Sequence, residues 1–163
     1  MILIALGANL PSQAGGPRQT LEATLERLEA SGVHVLARSD WYRTAPVPAS
    51  DQPWFVNGMA RVETTLEPSA LLALMRRLEQ EFGRQRSVRN AARTVDLDII
   101  DYDGRVENTP ELTLPHPRMQ DRAFVLLPLA EIAPGWRHPT LGETVESLIS
   151  ALPPGQKVKL MPA

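Results

Sequence analysis

With 163 residues, the chain is long enough for one domain with a core of its own and too short for two comfortable ones. The hydrophobic share of 43% and the charged share of 22% are ordinary for a globular protein, which excludes disorder as the default. The formal net charge of -2 argues against a dedicated binder of nucleic acid or anionic membranes, and the absence of cysteine excludes disulfides, thiolate metal sites and cysteine nucleophiles.

The chain begins with a short apolar run, residues 2–6, that leads directly into Gly7-Ala8-Asn9. Because the run lacks a basic leader, it is typical of a buried first strand and not of a signal peptide. No stretch approaches the roughly 18–20 apolar residues that a membrane span requires. We therefore expect a cytoplasmic protein without a membrane segment.

Two helices and three further strands are predicted next in chain order. Pro17 suits the first turn of a helix in which Leu21, Leu25 and Leu28 recur on one side before Ser31-Gly32 ends it. Downstream, the pattern predicts strands over 33–43, 54–64 and 94–100, and a helix over 67–82 that ends at Gly83. A proline-containing loop is predicted over 44–53 and an exposed loop over 83–92.

The last third of the chain is predicted to be less regular. Asp103-Gly104 favours a tight hairpin turn, and a short apolar helix over 122–132 is expected to be interrupted near Pro128. A last helix is predicted over 143–151. The tail that follows Pro153-Pro154-Gly155 is expected to be loosely held.

The order strand, helix, strand, strand, helix, strand in the first hundred residues is the split βαβ arrangement. It predicts an α+β, ferredoxin-like fold in which helices cover an antiparallel sheet. We expect a single domain over 1–163, with its core in 2–135 and a C-terminal helix and tail in 136–163.

Asp96 and Asp98 form the strongest local signal, because they alternate with apolar residues on the strand predicted over 94–100. Side chains two positions apart on a strand share a face and lie about 6–7 Å apart. Two neighbouring carboxylates repel each other unless a cation lies between them, and Mg²⁺ binds one or two carboxylates together with water and phosphate oxygens. The alternative, two acids on the wet face of an edge strand, has equal weight for a bare Asp-x-Asp.

A cluster of arginines precedes this strand. Only two of the 17 basic residues are lysines, Lys157 and Lys159, so a glycine-rich phosphate loop that ends in lysine is excluded and arginine must make any phosphate contacts. Guanidinium groups bind phosphate oxygens bidentately and stay charged in any environment. Cations beside an acid pair are the layout expected for magnesium–ATP, with a solvated basic loop as the alternative. The cluster comprises Arg84, Arg86, Arg89 and Arg93.

These residues resemble a known family. Residues 89–100, Arg-Asn-Ala-Ala-Arg-Thr-Val-Asp-Leu-Asp-Ile-Ile, match the signature of the 6-hydroxymethyl-7,8-dihydropterin pyrophosphokinases. Further landmarks of that family occur in order over about residues 2–135: Gly7-Ala8-Asn9-Leu10, Tyr42-Arg43-Thr44, Asp51-Gln52-Pro53, Phe55-Val56-Asn57, Gly83-Arg84, Pro115-His116, Arg122-Ala123-Phe124 and Pro128-Leu129. The resemblance implies a ferredoxin-like, usually monomeric enzyme of folate synthesis, which moves the terminal pyrophosphate of ATP to the hydroxymethyl group of the pterin and releases AMP.

The resemblance also implies which residues form the site. Asp96 and Asp98 are expected to bind two Mg²⁺ ions that span the triphosphate, and Arg84 and Arg93 are expected to stabilise the transferring group. The expected ATP site adds Glu79, Arg86, Ile99, Thr113, His116 and Arg122. The pterin is expected to stack between Phe55 and Phe124, to be read by Asn57 and to be walled in by Thr44, Ala45 and Val47.

Without the resemblance, several of these residues have plainer interpretations. Phe55 and Phe124 are typical of core packing, Glu79 of a solvated charge, and His116 of a polar surface or a hydrogen-bonded core position. The chain also departs from the family pattern, since Asn90-Ala91-Ala92 replaces a common Trp-Gly-Pro and Pro117 replaces a common ATP-contacting tyrosine. We expect these departures to affect loop closure and ATP affinity.

Two other functions remain as alternatives. A nucleotidyltransferase can also carry an acid pair on a ferredoxin-like sheet, and its released product is pyrophosphate instead of AMP. An RNA-binding module of this fold uses aromatic side chains on its sheet, but the acidic balance and the lack of a Lys/Arg-Gly-Phe-type motif argue against it. We expect ATP and a hydroxymethyl-dihydropterin as partners, no nucleic acid or membrane partner, and a monomer.

Overall fold

The computed structural model describes residues 1–46, 48–83 and 94–162. In chain order the elements are β1 (Ile2–Ala8), α1 (Pro17–Ala30), β2 (His34–Arg38), β3 (Tyr42–Thr44), β4 (Phe55–Glu63), α2 (Pro68–Glu81), β5 (Asp96–Tyr102), β6 (Glu107–Asn108), β7 (Thr113–Leu114), a 3-10 turn (Met119–Asp121), α3 (Ala123–Ile132), α4 (Val145–Ser150) and β8 (Val158–Leu160). None of the described helices is both long and apolar enough to cross a bilayer.

The main sheet has β1 near its middle, between β4 and β5. Its strand order is β5-β1-β4-β3-β8, with β2 also paired to β4, and every recorded pairing is antiparallel. Because β2 and β3 occupy the same side of β4, together they serve as the second strand of the split βαβ order. The predicted α+β, ferredoxin-like fold with an antiparallel sheet is confirmed.

The two faces of the sheet pack against different helices. Ile2, Ile4 and Leu6 of β1 belong to one buried cluster with the apolar sides of α1 and α2. Leu3 points to the other face, where it joins Met59 of β4 and residues of α3 and α4 in a second cluster. The period of two along β1 therefore supplies both cores, as expected for a strand buried on both sides.

The strand predicted over 33–43 is broken in the structure. Ser39 donates its backbone N–H to the carbonyl of Met59 at 2.9 Å, and its hydroxyl accepts the N–H of Met59 at 2.9 Å. Trp41 then turns into the core and is 2% exposed. The chain therefore leaves the ladder to bury the indole and returns as β3.

Two local predictions were wrong, a hairpin at Asp103-Gly104 and an interruption of the helix near Pro128. Asp103 and Gly104 do form a tight turn with positive φ values of 54° and 72°, but the chain does not return along β5; β6 pairs with β7 instead. Helix α3 continues through Pro128 without an interruption. Pro128 lacks an N–H and therefore removes only one bond of the helical ladder, which the packing of this apolar helix tolerates.

The tail that was expected to be loosely held is bound to the sheet. Strand β8 pairs with β3 in antiparallel register, with Tyr42 opposite Leu160 and Thr44 opposite Val158. The carbonyl of Trp41 also accepts the N–H of Met161 at 2.9 Å. The sequence expectation failed because the tail is stabilised by backbone bonds to a distant strand, for which its own composition carries no signal.

Candidate active site

The pocket lies on the half of the second sheet face that α3 and α4 leave open. On this face the side chains of Leu3 and Met59 are covered, whereas residues farther along the same strands line a cavity of about 770 Å³, measured out to its open mouth. The lining residues are Ala5, Leu6, Gly7, Thr44, Ala45, Gln52, Phe55, Asn57, Asp96, Asp98, Ile100, His116, Arg122, Phe124 and Val125. The same alternation that builds the second core thus also exposes the polar floor of the pocket.

The floor brings an amide and two carboxylates side by side. In the sheet register, Gly7 lies opposite Asn57 on one side and opposite Asp96 on the other, and Ala5 lies opposite Asp98. Gly7 is required here by space: a Cβ added to it would lie 2.5 Å from Oδ1 of Asn57. The small residues of β1 therefore leave room above the sheet between the amide and the acids.

Asn57 is held in a defined orientation. It is 7% exposed, and its Nδ2 donates to the hydroxyl of Thr44 at 2.6 Å. A second polar pair steadies the loop beside it, because Nδ2 of Asn9 donates to Oε1 of Gln52 at 2.8 Å and to the carbonyl of Pro53 at 3.0 Å. An oriented amide with both donors and acceptors suits a ligand edge that carries both kinds of group.

Asp96 and Asp98 both line the pocket from β5. The Asp98 carboxylate is about a third exposed and lies between two basic side chains: Nη2 of Arg76 is 4.0 Å from Oδ1, and Nε2 of His116 is 4.0 Å from Oδ2. Both distances lie at the outer limit of an ion pair, and His116 is uncharged at neutral pH. The Asp98 carboxylate remains accessible from the pocket.

The backbone between the two acids is held by a pair of side chains from α2. Leu97 donates its N–H to Oε2 of Glu79 at 2.9 Å, and its carbonyl accepts from Nη1 of Arg76 at 2.9 Å. Arg76 also donates to Oε1 of Glu79 at 2.9 Å, and Glu79 is only 1% exposed. Both main-chain groups of Leu97 are therefore fixed, which sets the positions of the acid on either side.

His116 is neutral and its proton position is defined. Its backbone N–H donates to the carbonyl of Ile100, and its Nδ1 accepts the N–H of Arg118 at 3.3 Å. A neutral imidazole that accepts at Nδ1 carries its proton on Nε2, the nitrogen that faces Asp98. Burial, and then the positive charge of Arg122, lower the pKa of His116 to about 4. At neutral pH it is therefore a hydrogen-bond donor without a charge.

The donor set at the acid pair fits a hard divalent cation. Mg²⁺ takes one or two protein carboxylates and completes its coordination with water and phosphate oxygens. Asp96 and Asp98 supply that number of carboxylates at the pocket surface. In the described ranges, no three or more His, Asp or Glu side chains form a group that could hold a metal ion.

Phe55 and Phe124 both line the pocket and are partly exposed, so neither is a fully buried core residue. The guanidinium of Arg122 lies over the Phe124 ring with its Cζ 5.4 Å from the ring centroid. The ring face of Phe124 and a positive charge thus occupy the same wall. Thr44 and Ala45 also line the pocket, from the end of β3.

The other residues predicted for the ATP site lie around the pocket or outside the described chain. Glu79 lies behind β5, where it is buried instead of solvated as its sequence context alone suggested. The side chain of Ile99 belongs to the first core, on the face opposite Asp98. Thr113 lies on β7 and lines an adjacent groove together with His116 and Pro117. Val47, Arg84, Arg86, Arg89, Arg93 and Asn90-Ala91-Ala92 fall outside the described residues.

Sequence reasoning missed the roles of three residues. Gly7 shapes the floor, Gln52 lines the pocket and binds Asn9, and Arg76 joins Asp98 to the backbone of β5. Gly7 and Gln52 belong to landmarks of the resemblance, so a signal for them was present. The resemblance places Arg76 where relatives carry other nucleotide-contacting residues, but the local pattern gave no sign of its contacts with Leu97 and Asp98, which lie about twenty residues away.

The fold and the pocket define an α+β enzyme of ferredoxin-like topology with paired carboxylates on an open sheet face. The chain belongs to the 7,8-dihydro-6-hydroxymethylpterin-pyrophosphokinase (HPPK) family, whose family model matches residues 3–134.

Individual relatives agree with this assignment over most of their length. The chain is 40% identical over 153 residues to the 2-amino-4-hydroxy-6-hydroxymethyldihydropteridine pyrophosphokinase of Pseudomonas aeruginosa, covering 93% of this chain and 91% of the relative. The enzyme of the same name from Haemophilus influenzae is 37% identical over 160 residues, covering 98% of this chain and 97% of the relative.

The fold is also that of a solved protein, a Plasmodium falciparum HPPK-DHPS variant crystallised with pterin and p-hydroxybenzoate. It superposes with a TM-score of 0.72 at 15% identity and covers 92% of this chain. The chain spans 43% of that longer protein.

Proposed function

We propose that this pyrophosphokinase transfers the pyrophosphate group of ATP to 6-hydroxymethyl-7,8-dihydropterin, giving the pterin diphosphate and AMP, in folate biosynthesis. The observation that carries the proposal is the single open sheet face on which Asp96 and Asp98 lie beside Asn57, with Phe55 and Phe124 lining the same pocket. A site for a charged phosphate chain therefore adjoins a site for a flat ring with polar edges.

We assign the pterin to the half of the pocket formed by β3, β4 and the start of α3. A heterocycle that stacks on Phe55 and Phe124 gains about 1–3 kcal/mol per ring face, by analogy with bases on aromatic side chains. The amide of Asn57, oriented by Thr44, reads the donor and acceptor edge of the ring. Ala45 completes the lining of this half, and the resemblance adds Val47 to it.

We assign the triphosphate to the half of the pocket that β5 lines with Asp96 and Asp98. Asp96 and Asp98 would hold Mg²⁺, two ions according to the resemblance, and the bound metal would offset the negative charge of the phosphate chain. His116 contributes an uncharged N–H donor and Arg122 a fixed positive charge at the pocket wall. The resemblance adds ATP contacts from Glu79, Arg84, Arg86, Arg93, Ile99 and Thr113.

In the proposed reaction, the pterin hydroxyl oxygen attacks the β-phosphorus of ATP in line with the bond to the departing AMP. An oxygen–phosphorus bond forms to the pterin, the bond from the β-phosphorus to the oxygen of the α-phosphate breaks, and the hydroxyl proton is released. In this proposal Asp96 or Asp98 accepts that proton. The rigid floor contributes orientation, which accounts for much of the catalysis of phosphoryl transfer.

We also propose that residues 1–163 form one domain that acts as a monomer in the cytoplasm, without a nucleic-acid or membrane partner. The packing of both sheet faces and the tail against one sheet supports the single domain. Sedimentation equilibrium with and without magnesium–ATP tests the oligomeric state, and a dimer in either condition contradicts this part of the proposal.

The decisive experiment is incubation with ATP, MgCl₂ and 6-hydroxymethyl-7,8-dihydropterin, followed by mass analysis of both products. The expected products are the pterin diphosphate and AMP. Release of pyrophosphate instead indicates a nucleotidyltransferase. Asp98→Asn removes a proposed metal ligand and should abolish product formation, whereas the matched change Asp103→Asn affects an exposed turn residue with a positive φ that asparagine tolerates.

A further inference from the structure

The C-terminal residues 156–160, here called the clasp, lie beyond the part of the chain that the family model matches. The clasp contains Gln156, Lys157 and strand β8, which lies at the edge of the sheet opposite β5. It therefore contacts the proposed pterin half of the pocket and lies away from the strand that carries the acid pair.

Gln156 binds the main chain on both sides of Arg122. Its Oε1 accepts the N–H of Ala123 at 2.9 Å, and its Nε2 donates to the carbonyl of Asp121 at 2.8 Å. Arg122 lies between these two residues and lines the pocket, as does Phe124. One side-chain amide thus fixes the peptide groups that flank Arg122, immediately before Phe124.

Gln156 also caps helix α3. The residue at the cap position, Arg122, makes no side-chain hydrogen bond to the helix. The first N–H groups of a helix have no partner within the helix, and a side-chain oxygen that accepts one of them stabilises the start of the helix. Gln156 supplies that oxygen to Ala123 from 33 residues away. The direction in which α3 begins, and with it the position of Phe124, therefore depends on the clasp.

The next residues of the clasp hold the end of β3, where Thr44 and Ala45 also line the pocket. The carbonyl of Lys157 accepts the N–H of Ala45 at 3.0 Å, and Val158 pairs with Thr44. Thr44 in turn accepts the hydrogen bond that orients Asn57. Three consecutive clasp residues therefore bind two separate segments that line the proposed pterin site, the start of α3 and the end of β3, and so couple their positions.

We propose that Gln156 is a positioning residue for the pterin, acting through the start of α3, and that the clasp sets the width of the pterin site. The inference rests on the proposed function. It predicts that the amide of Gln156 affects the use of the pterin and leaves the binding of magnesium unaffected, because Asp96 and Asp98 are held by β1 and by α2 at the other edge of the sheet.

The test compares three variants by steady-state kinetics. Gln156→Met keeps the length of the side chain and removes both hydrogen bonds. Gln156→Glu keeps an acceptor for Ala123 and loses the donor to Asp121. Gln19→Met makes the same chemical change on the exposed side of α1 and serves as the control. The KM for the pterin at saturating ATP, and the Mg²⁺ concentration that gives half-maximal rate, are measured for each.

Gln156→Met is expected to raise the pterin KM by about fivefold to tenfold, with the Mg²⁺ half-saturation within about twofold of the parent. The pterin KM of Gln156→Glu is expected to lie between those of Gln156→Met and the parent. The pterin KM of Gln19→Met is expected to match that of the parent. If Gln156→Met does not fold, the test rests on Gln156→Glu alone, for which the expected rise in the pterin KM is about threefold.

A parent chain that makes no pterin diphosphate refutes the proposed function. A parent chain that makes it, with an unchanged pterin KM in the Gln156 variants, refutes only the role of Gln156. An equal rise in the pterin KM and the Mg²⁺ half-saturation also refutes it, because that result indicates general loosening of the fold.

Discussion

Replacing Gly7 by alanine is the sharpest perturbation that the pocket floor offers. Gly7 lies on a regular strand without a positive φ, so alanine adopts its backbone without strain. The added Cβ would lie 2.5 Å from Oδ1 of Asn57, whereas ordinary contacts begin near 3.4 Å. The Asn57 side chain must therefore retreat by about 1 Å, or rotate and lose its hydrogen bond to Thr44.

Both responses misplace the group that we assign to the pterin edge. A misplacement of about 1 Å in a positioning group lowers activity by about 100-fold, equivalent to about 2.7 kcal/mol of transition-state stabilisation. Stability should change little. The hydrogen bond between Asn57 and Thr44 is worth about 1 kcal/mol, and replacing a strand glycine by alanine offsets roughly 0.5–1 kcal/mol of that loss.

Gly58 provides a control with the same substitution on the opposite face of the sheet. A Cβ there would lie 2.5 Å from Cζ3 of the buried Trp41 ring, which cannot retreat without disturbing the core. Overpacking of this kind destabilises a protein by about 1–3 kcal/mol. Gly58→Ala should therefore lower Tm by several degrees while it leaves the pterin KM within about twofold of the parent.

The assay combines thermal unfolding with pterin and magnesium titrations of the initial rate. Gly7→Ala should lower kcat/KM for the pterin at an unchanged Mg²⁺ half-saturation and a nearly unchanged Tm. Normal pterin kinetics in Gly7→Ala would show that Asn57 does not read the substrate. A large loss of Tm in the same variant would show that any loss of activity reflects the fold and not the floor.

Three other substitutions test the acid half of the pocket. Asp98→Asn should lower kcat at least about 100-fold and raise the Mg²⁺ half-saturation without unfolding the chain, as measured by rates and Tm. Glu79→Leu should lower the free energy of unfolding in urea by about 1–3 kcal/mol, because the N–H of the buried Leu97 loses its acceptor. His116 has its pKa lowered from 6.5 to about 4, so the folded state binds fewer protons than the unfolded state and stability should fall as pH drops from 6.5 towards 4. Between pH 7 and pH 4.5, the free energy of unfolding in urea should fall by roughly 2 kcal/mol less in His116→Asn than in the parent. An equal fall in the variant and the parent contradicts the burial of a neutral imidazole.

The order of helices and strands in the first hundred residues was predictable because it follows from the local periodicity of apolar residues. The apolar run of β1, the leucine stripe of α1 and the proline-containing loop before β4 were visible without tertiary information, and together they define the split βαβ order. The boundary errors have a common origin. Trp41 leaves its strand to enter the core, and β6, which follows the turn at Asp103, pairs with β7 instead of β5, so in neither place does the local pattern determine the path of the chain.

The candidate site was predictable in part. Alternation along β5 placed Asp96 and Asp98 on one face, and both line the pocket. The sequence could not show that α3 covers only half of that face, which is why Phe55 and Phe124 were equally compatible with core packing from their residue types alone. It also could not show that Glu79 is buried, since a glutamate near the end of a helix is usually solvated.

The residues that hold the pocket were the hardest to find, because each acts on a main-chain group far from it in sequence. Glu79 reaches Leu97, 18 residues away, and Gln156 reaches Asp121, 35 residues away. In both cases a side chain satisfies peptide groups next to a residue that lines the pocket. A hydrogen bond to the backbone depends little on the identity of the residue it supports, so it leaves no pattern in the local sequence. Such supports become visible only when the fold brings the two segments together, and here one holds the floor of the pocket while the other holds the wall that carries Phe124.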